Sequence, residues 1–276
     1  MPPSSPRPAN RLLASLPAAS FESLRPHLEP VELSLRDVLF NVDVPIEHVY
    51  FPEDMVVSIL GVMPDGTAVE VATVGREGMV GLPVFLGAER TSSHAMVQVP
   101  GRAHRVEART FRDQSRRSVG IRDVLDRYTQ AMFTLLAQGA ACNRLHSIEE
   151  RCARWLLLTQ DRVGADSFPL THQFLSQMLG VRRAGVSEVA AELQREGLLT
   201  YRRGYITIQD RARLEAASCE CYGVIRSEFS RLLEGLKTPN PLSGVSPRLA
   251  VKGQSTVKGG TPRPRRKPRA RSKSKA

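Results

Sequence analysis

Arg182, Arg183, Gly185, Ser187 and Glu188 fall within seven residues, on a stretch with helical periodicity. An arginine fork can bond the O6/N7 edge of guanine with both ends, and a glutamate can accept from the N4 amino group of cytosine. Arg183 and Glu188 are therefore the candidate base readers. Thr171, Arg182, Ser187 and the pair Arg202 and Arg203 suit phosphates, which set affinity and register rather than sequence preference. The implied chemistry is recognition of double-stranded DNA. A plainer reading makes Arg182 and Arg183 the start of a solvated helix. Against it, a cation at a helix N-terminus opposes the helix dipole.

Such residues read DNA only if a scaffold presents them. Thr171 is a good N-cap for a helix over His172 to Leu179, and Gly180 offers the turn before a second helix from about Arg182 to Arg195. Two helices crossing steeply need small or apolar residues where they touch. Ser176 is small there, and Leu175, Leu179, Val181, Val186, Val189 and Leu193 supply a shared core. The run Leu198 to Ile208, with Arg202-Arg203-Gly204 at its centre, predicts a two-stranded wing. Upstream, Ser147 with Glu150 forms a capping box. It predicts a helix through Trp155 to about Gly164, followed by a loop over Asp166 to Pro169.

The N-terminal half has a different texture. From about Val31 to Ala108, short β-rich runs alternate with turns such as Pro64-Asp65-Gly66. Strands are expected at His48–Phe51, Met55–Leu60, Val69–Val71, His94–Val99 and His104–Ala108, in a compact all-β roll. Ile121, Leu125, Tyr128, Met132, Leu135, Gly139 and Cys142 then recur at alternating spacings of four and three. Apolar residues held so for three heptads predict a helix that pairs with a second copy. Burial of that helix within its own domain is the competing reading.

Charge restrains the argument. The chain of 276 residues carries a net +11, but residues 237–276 hold six Lys, six Arg and no acid, so the rest is −1. DNA binding by the folded part must rest on placement, not bulk charge. The tail is too polar to bury a core and is expected to be disordered, as is a leader over 1–11. No stretch is apolar enough to span a bilayer, and no secretory signal is evident, so a cytoplasmic setting is expected. Four cysteines lack paired C-x-x-C spacing, and Cys142 and Cys152 are expected to act as small hydrophobes. Cys219-Glu220-Cys221 would be redox-active only if exposed. No nucleophile–base pair, metal-ligand cluster or Walker-type loop is evident, which argues against an enzyme and against a metal site.

The order of roll, long helix, capped helix, helix-turn-helix and wing, with the string Leu170 to Val189, resembles the bacterial Crp/Fnr superfamily. The resemblance covers roughly residues 12–235. It implies an α+β fold: an N-terminal double-stranded β-helix or jelly-roll sensor (12–112), a dimerisation helix (113–146), a winged helix-turn-helix (147–212) and a C-terminal helix (213–236). It further implies a homodimeric transcription regulator on a palindromic operator, with RNA polymerase as a further partner and half-sites about 34–36 Å apart. Effector residues by alignment are Gly78, Gly81, Ser93 and His94. There the sequence departs from the family: Met79 stands where a ribose-binding Glu is usual, and Ser93-His94 where an Arg would neutralise phosphate. Cyclic AMP is therefore not expected, and no cofactor is assigned. His94 leaves haem open, although a lone histidine is more often structural. Two alternatives remain: an effector-independent DNA binder, and a regulatory module acting on a protein partner.

Overall fold

The computed structural model describes residues 8–233, 241–243 and 245. The leader over 1–7 and nearly all of the basic tail lie outside them. Among the described residues no helix is long and apolar enough to cross a membrane.

Two short helices, α1 (Arg11–Ala14) and α2 (Ala18–Leu24), open the chain. The leader expected to be disordered over 1–11 is ordered at its end, where Asn10 and Arg11 begin α1. Asn10 is fully buried, caps α1 through Leu13 N–H, and donates to the carbonyls of Pro52 and Gly78 at 2.8 and 2.9 Å. Seven strands follow: β1 (Glu29–Leu33), β2 (Val38–Phe40), β3 (His48–Pro52), β4 (Val56–Val62), β5 (Ala68–Val74), β6 (Ser93–Val99) and β7 (Gly101–Glu107). A one-turn helix, α3 (Leu82–Phe85), interrupts them between β5 and β6. They form two antiparallel sheets, ordered β1-β7-β3 and β2-β6-β4-β5. The roll expected from alternation is present. β1 and β2, short and half-exposed, gave no alternating signal strong enough to be found.

The expected long helix is two. α4 (Ala108–Arg117) stops at Ser118, whose hydroxyl caps α5 (Val119–Leu145) by accepting from Ile121 N–H. Then come α6 (Ile148–Val163), β8 (Ser167–Pro169), α7 (His172–Leu179), α8 (Arg183–Arg195), β9 (Leu199–Arg202) and β10 (Tyr205–Ile208). The expected C-terminal helix is also broken, into α9 (Arg211–Ala217) and α10 (Cys221–Leu233).

The heptad seam takes the competing reading and packs inside its own chain. Ile121, Leu125, Tyr128, Met132, Leu135 and Cys142 are all buried within their own chain. Ile121 and Leu125 join Leu12, Leu24, Phe51 and Phe111 in one apolar core. The Tyr128 phenol donates to Met79 O at 3.0 Å, and its ring meets Phe229 of α10 edge-on at 6.4 Å between centroids. Of the seam residues only Gly139 keeps open space: nothing lies within 4 Å of where a Cβ would stand. The exposed apolar stripe of α5 lies elsewhere, at Phe133, Leu136, Ala137, Ala140 and Ala141. A helix with two apolar sides carries the same spacing on its core seam as on a pairing seam.

The aligned effector residues lie on two segments of the roll. A Cβ at Gly78 would lie 2.4 Å from the Tyr128 hydroxyl, and one at Gly81 (φ +101°) would lie 2.9 Å from Val49. Both glycines thus admit the close packing of the 78–81 segment against α5 and β3. Ser93 and His94 sit on the other sheet, opposite Gly61 and Leu60, and His94 Nδ1 lies 2.8 Å from Asn41 Oδ1. Burial lowers the His94 pKa.

The roll is fastened to α6 through Glu70. Its carboxylate accepts from Ser58 Oγ and from Trp155 Nε1, both at 2.7 Å. Burial raises its pKa to about 7, against the opposing pull of those two hydrogen bonds. A carboxyl with a raised pKa holds its proton longer in the folded state, so stability is fully present below the unfolded value and falls as pH rises through the folded one. Thermal denaturation of the protein should show a melting temperature falling between about pH 4.5 and 7. Glu70→Gln should flatten that slope, and an unchanged slope would show that another group carries it.

Candidate nucleic-acid interface

α7 and α8 meet through the residues expected of them. Leu175, Leu179, Val186 and Leu193 are buried, Ser176 is buried where the helices touch, and Val181 and Val189 pack at the margin. The turn between the helices is a Schellman motif. Gly180 takes φ +63° and donates to Gln177 O, while Val181 N–H reaches back to Ser176 O at 3.0 Å. A side chain at Gly180 would be strained at that φ, and its Cβ would press on Val69 of β5 at 3.1 Å.

α6 begins with the expected capping box, Ser147 and Glu150 satisfying each other's backbone N–H, and ends at Gly164 with φ +72°. The loop expected over Asp166 to Pro169 contains β8, which pairs with β10. The wing is therefore a three-stranded sheet, ordered β8-β10-β9, rather than a free hairpin. Its missed strand is only three residues long, too short for alternation to show.

At the wing tip Arg202 pairs with Tyr205, leaving Arg203 and Gly204 as a two-residue turn with φ +51° and +82°. Positive φ at both central positions is the turn that matches strand twist, and it normally selects Asn or Gly first. Arg203 holds a conformation that costs a non-glycine residue about 1 kcal/mol. An arginine kept there at a cost points to a use outside the fold.

The cations expected to meet DNA are all presented to solvent. Arg182 occupies the N-cap of α8 without a side-chain cap bond, and Arg183 is its first residue. Arg182, Arg183, Arg202 and Arg203 are exposed and form no ion pair among the described residues. Glu188 is exposed one turn further on, and Ala184, Glu188, Ala191 and Arg195 make the outward strip of α8. The two alanines were not singled out from the sequence, because only the fold shows which face is outward. They let the helix lie close, and a methyl group there can meet the thymine methyl. Arg195 is drawn aside by Glu192.

Two of the expected contact residues have neighbours within the chain. Gly185 is half-buried, and a Cβ there would meet Ile148 of α6 at an ordinary 3.6 Å. The Ser187 hydroxyl is engaged at 3.1 Å by His172 Nδ1, whose ring lies on that of Tyr201 at 4.5 Å between centroids. His172 thereby ties α7 to the recognition helix and to the wing. Burial, then the charge of Arg183, lowers its pKa. Thr171 is exposed beside them, capping α7 through Phe174 N–H at 3.1 Å.

Residues 150–217 match the model of the Crp-like helix-turn-helix domain. No curated protein sequence matches the chain. Among solved structures, FixK2 from Bradyrhizobium japonicum is similar with a TM-score of 0.60 and 18% identity, over 70% of this chain and 98% of that one. A Crp/Fnr-family protein from Eubacterium rectale gives 0.58 at 17% identity over 75% and 96%. The c-di-GMP-responsive global regulator CLP of Xanthomonas campestris gives 0.57 at 16% over 70% and 100%. At such identities the likeness is one of fold. Residues 150–217 thus form a Crp-like helix-turn-helix domain, and the chain shares the fold of these solved structures.

Proposed function

We propose that the protein is a homodimeric transcription regulator that reads a two-fold symmetric DNA site with α8 and clamps the flanking backbone with its wing. The observation that carries this reading is the set of four solvent-facing arginines, unpaired among the described residues, at the start of α8 and at the wing tip. Arg183 and Glu188 are the base readers, Thr171, Arg182, Arg202 and Arg203 the phosphate contacts, and Ser187 a positioning residue held by His172. Two copies pair through the exposed stripe of α5, because a recognition helix in each of two successive major grooves needs a dimer. RNA polymerase contact and a cytoplasmic location follow from that role.

Control by cyclic AMP is not part of this reading, because Met79 and Ser93-His94 stand where a ribose-binding Glu and a phosphate-neutralising Arg are usual. In vitro selection of DNA sites with the purified chain at physiological salt tests the reading. An inverted repeat with half-sites about one helical turn apart is expected. Enrichment of single half-sites would remove the dimer, and enrichment of no sequence would remove specific readout.

A further inference from the structure

Three cysteines and a histidine converge where the last turn of α5 meets the turn between α9 and α10. Cys142 and His146, four residues apart, share one helix face. Cys219 and Cys221 come from the far end of the winged domain. One ligand atom from each of the four lies within 4.8 Å of every other. Cys142 Sγ stands 3.5 Å from Cys219 Sγ, and Cys221 Sγ stands 3.5 Å from His146 Nδ1. All three cysteines are buried.

These spacings are those of a single ion's ligands. A tetrahedral zinc with Zn–S near 2.3 Å and Zn–N near 2.0–2.1 Å sets two thiolates about 3.8 Å apart and a thiolate and an imidazole about 3.6 Å apart. A disulfide would need about 2.05 Å and would use only two of the four. The surroundings fit as well. His146 Nε2 faces Glu220 Oε1 at 3.3 Å, the carboxylate partner that aims the other ring nitrogen of a metal-bound histidine. Gln138 Nε2 donates to Cys221 Sγ at 3.2 Å. Arg151 and Arg154 of α6 bring positive charge to bear on the thiols, which suits a centre whose three thiolates outweigh a divalent cation.

We infer that Cys142, His146, Cys219 and Cys221 bind one thiophilic divalent cation, of the zinc class, in a closed Cys₃His tetrahedron. Binding releases three thiol protons to solvent and takes up the imidazole as the neutral ring. Because the ligands flank residues 148–208, the ion closes a loop around the whole DNA-binding domain and pins it to the end of α5. The sequence hid this site: its two halves are some seventy-five residues apart, and neither Cys-x₃-His nor Cys-x-Cys is diagnostic alone.

The test uses the full chain, purified under reducing conditions, with metal analysis followed by Co²⁺ titration of the stripped protein. About one equivalent of zinc per chain is expected, and Co²⁺ should give tetrahedral ligand-field bands with a thiolate charge-transfer band. Cys219→Ser should bind Co²⁺ more weakly and with a less intense thiolate charge-transfer band, while Cys152→Ser, buried outside the cluster, should match the unaltered chain. Should Cys219→Ser fail to fold, Glu220→Gln at a half-exposed position should still weaken Co²⁺ binding about 10- to 100-fold. The site is overturned by reduced protein that neither carries zinc nor develops the cobalt spectrum, by a Cys142–Cys219 disulfide in protein kept reduced, or by unchanged affinity in both variants.

Discussion

Phe133→Asp is expected to leave the chain folded and to make it monomeric. Phe133 is 61% exposed on α5, one turn before Leu136 on the same face, with Ala137, Ala140 and Ala141 continuing the stripe. Fully burying a phenylalanine contributes about 1.5–3 kcal/mol, and in a two-fold interface the residue counts twice. Losing about 3–6 kcal/mol raises a dimer dissociation constant roughly 10²- to 10⁴-fold. The aspartate also sets two like charges against each other. Leu125→Asp separates this from the seam read in the sequence. Leu125 is 2% exposed, so an aspartate there is a buried, unpaired charge, and the chain should unfold rather than dissociate. Sedimentation velocity with circular dichroism distinguishes the two. A folded monomer from Leu125→Asp, or an intact dimer from Phe133→Asp, would reinstate the seam.

Why the helix-turn-helix was legible and the rest was not follows from where each signal is written. Ser176, Gly180 and the six apolar residues around them lie within nineteen positions, so spacing alone encodes their contacts. The β-strands with clean alternation were legible for the same reason, whereas β1 is mostly exposed and β2 and β8, three residues each, are too short to show a period. The seam on α5 failed because Tyr128 and its neighbours pack against strands and against α10, which the sequence places fifty residues before and a hundred after. Glu70 with Trp155, the His172–Ser187–Tyr201 link and the four-ligand cluster are likewise products of distant segments. Each exists only once the fold has closed. Gly185 shows a subtler limit: its place in the motif was right, but only the position of α6 reveals which way it faces.

Arg183→Ala is expected to relax specificity at one base position per half-site while leaving the fold as stable as before. A bidentate arginine–guanine contact contributes about 1–3 kcal/mol of discrimination, so a dimer deprived of both arginines should bind its selected operator roughly 30- to 10⁴-fold more weakly. Binding to unrelated DNA should hardly change, because phosphate contacts supply that affinity. Arg203→Ala should do the reverse: it weakens all sequences alike and lowers the salt slope by about 0.9 for each phosphate that is no longer neutralised. Stability separates these roles from a structural one. Arg183 begins α8, where its charge opposes the helix dipole by about 0.3–1 kcal/mol, and it makes no ion pair among the described residues. Its removal should leave the melting temperature unchanged or raise it slightly. Operator and random duplexes titrated at several salt concentrations, beside thermal denaturation of the same samples, read all of this together. Equal weakening on both duplexes would make Arg183 a phosphate contact, and a lowered melting temperature would make it a part of the fold.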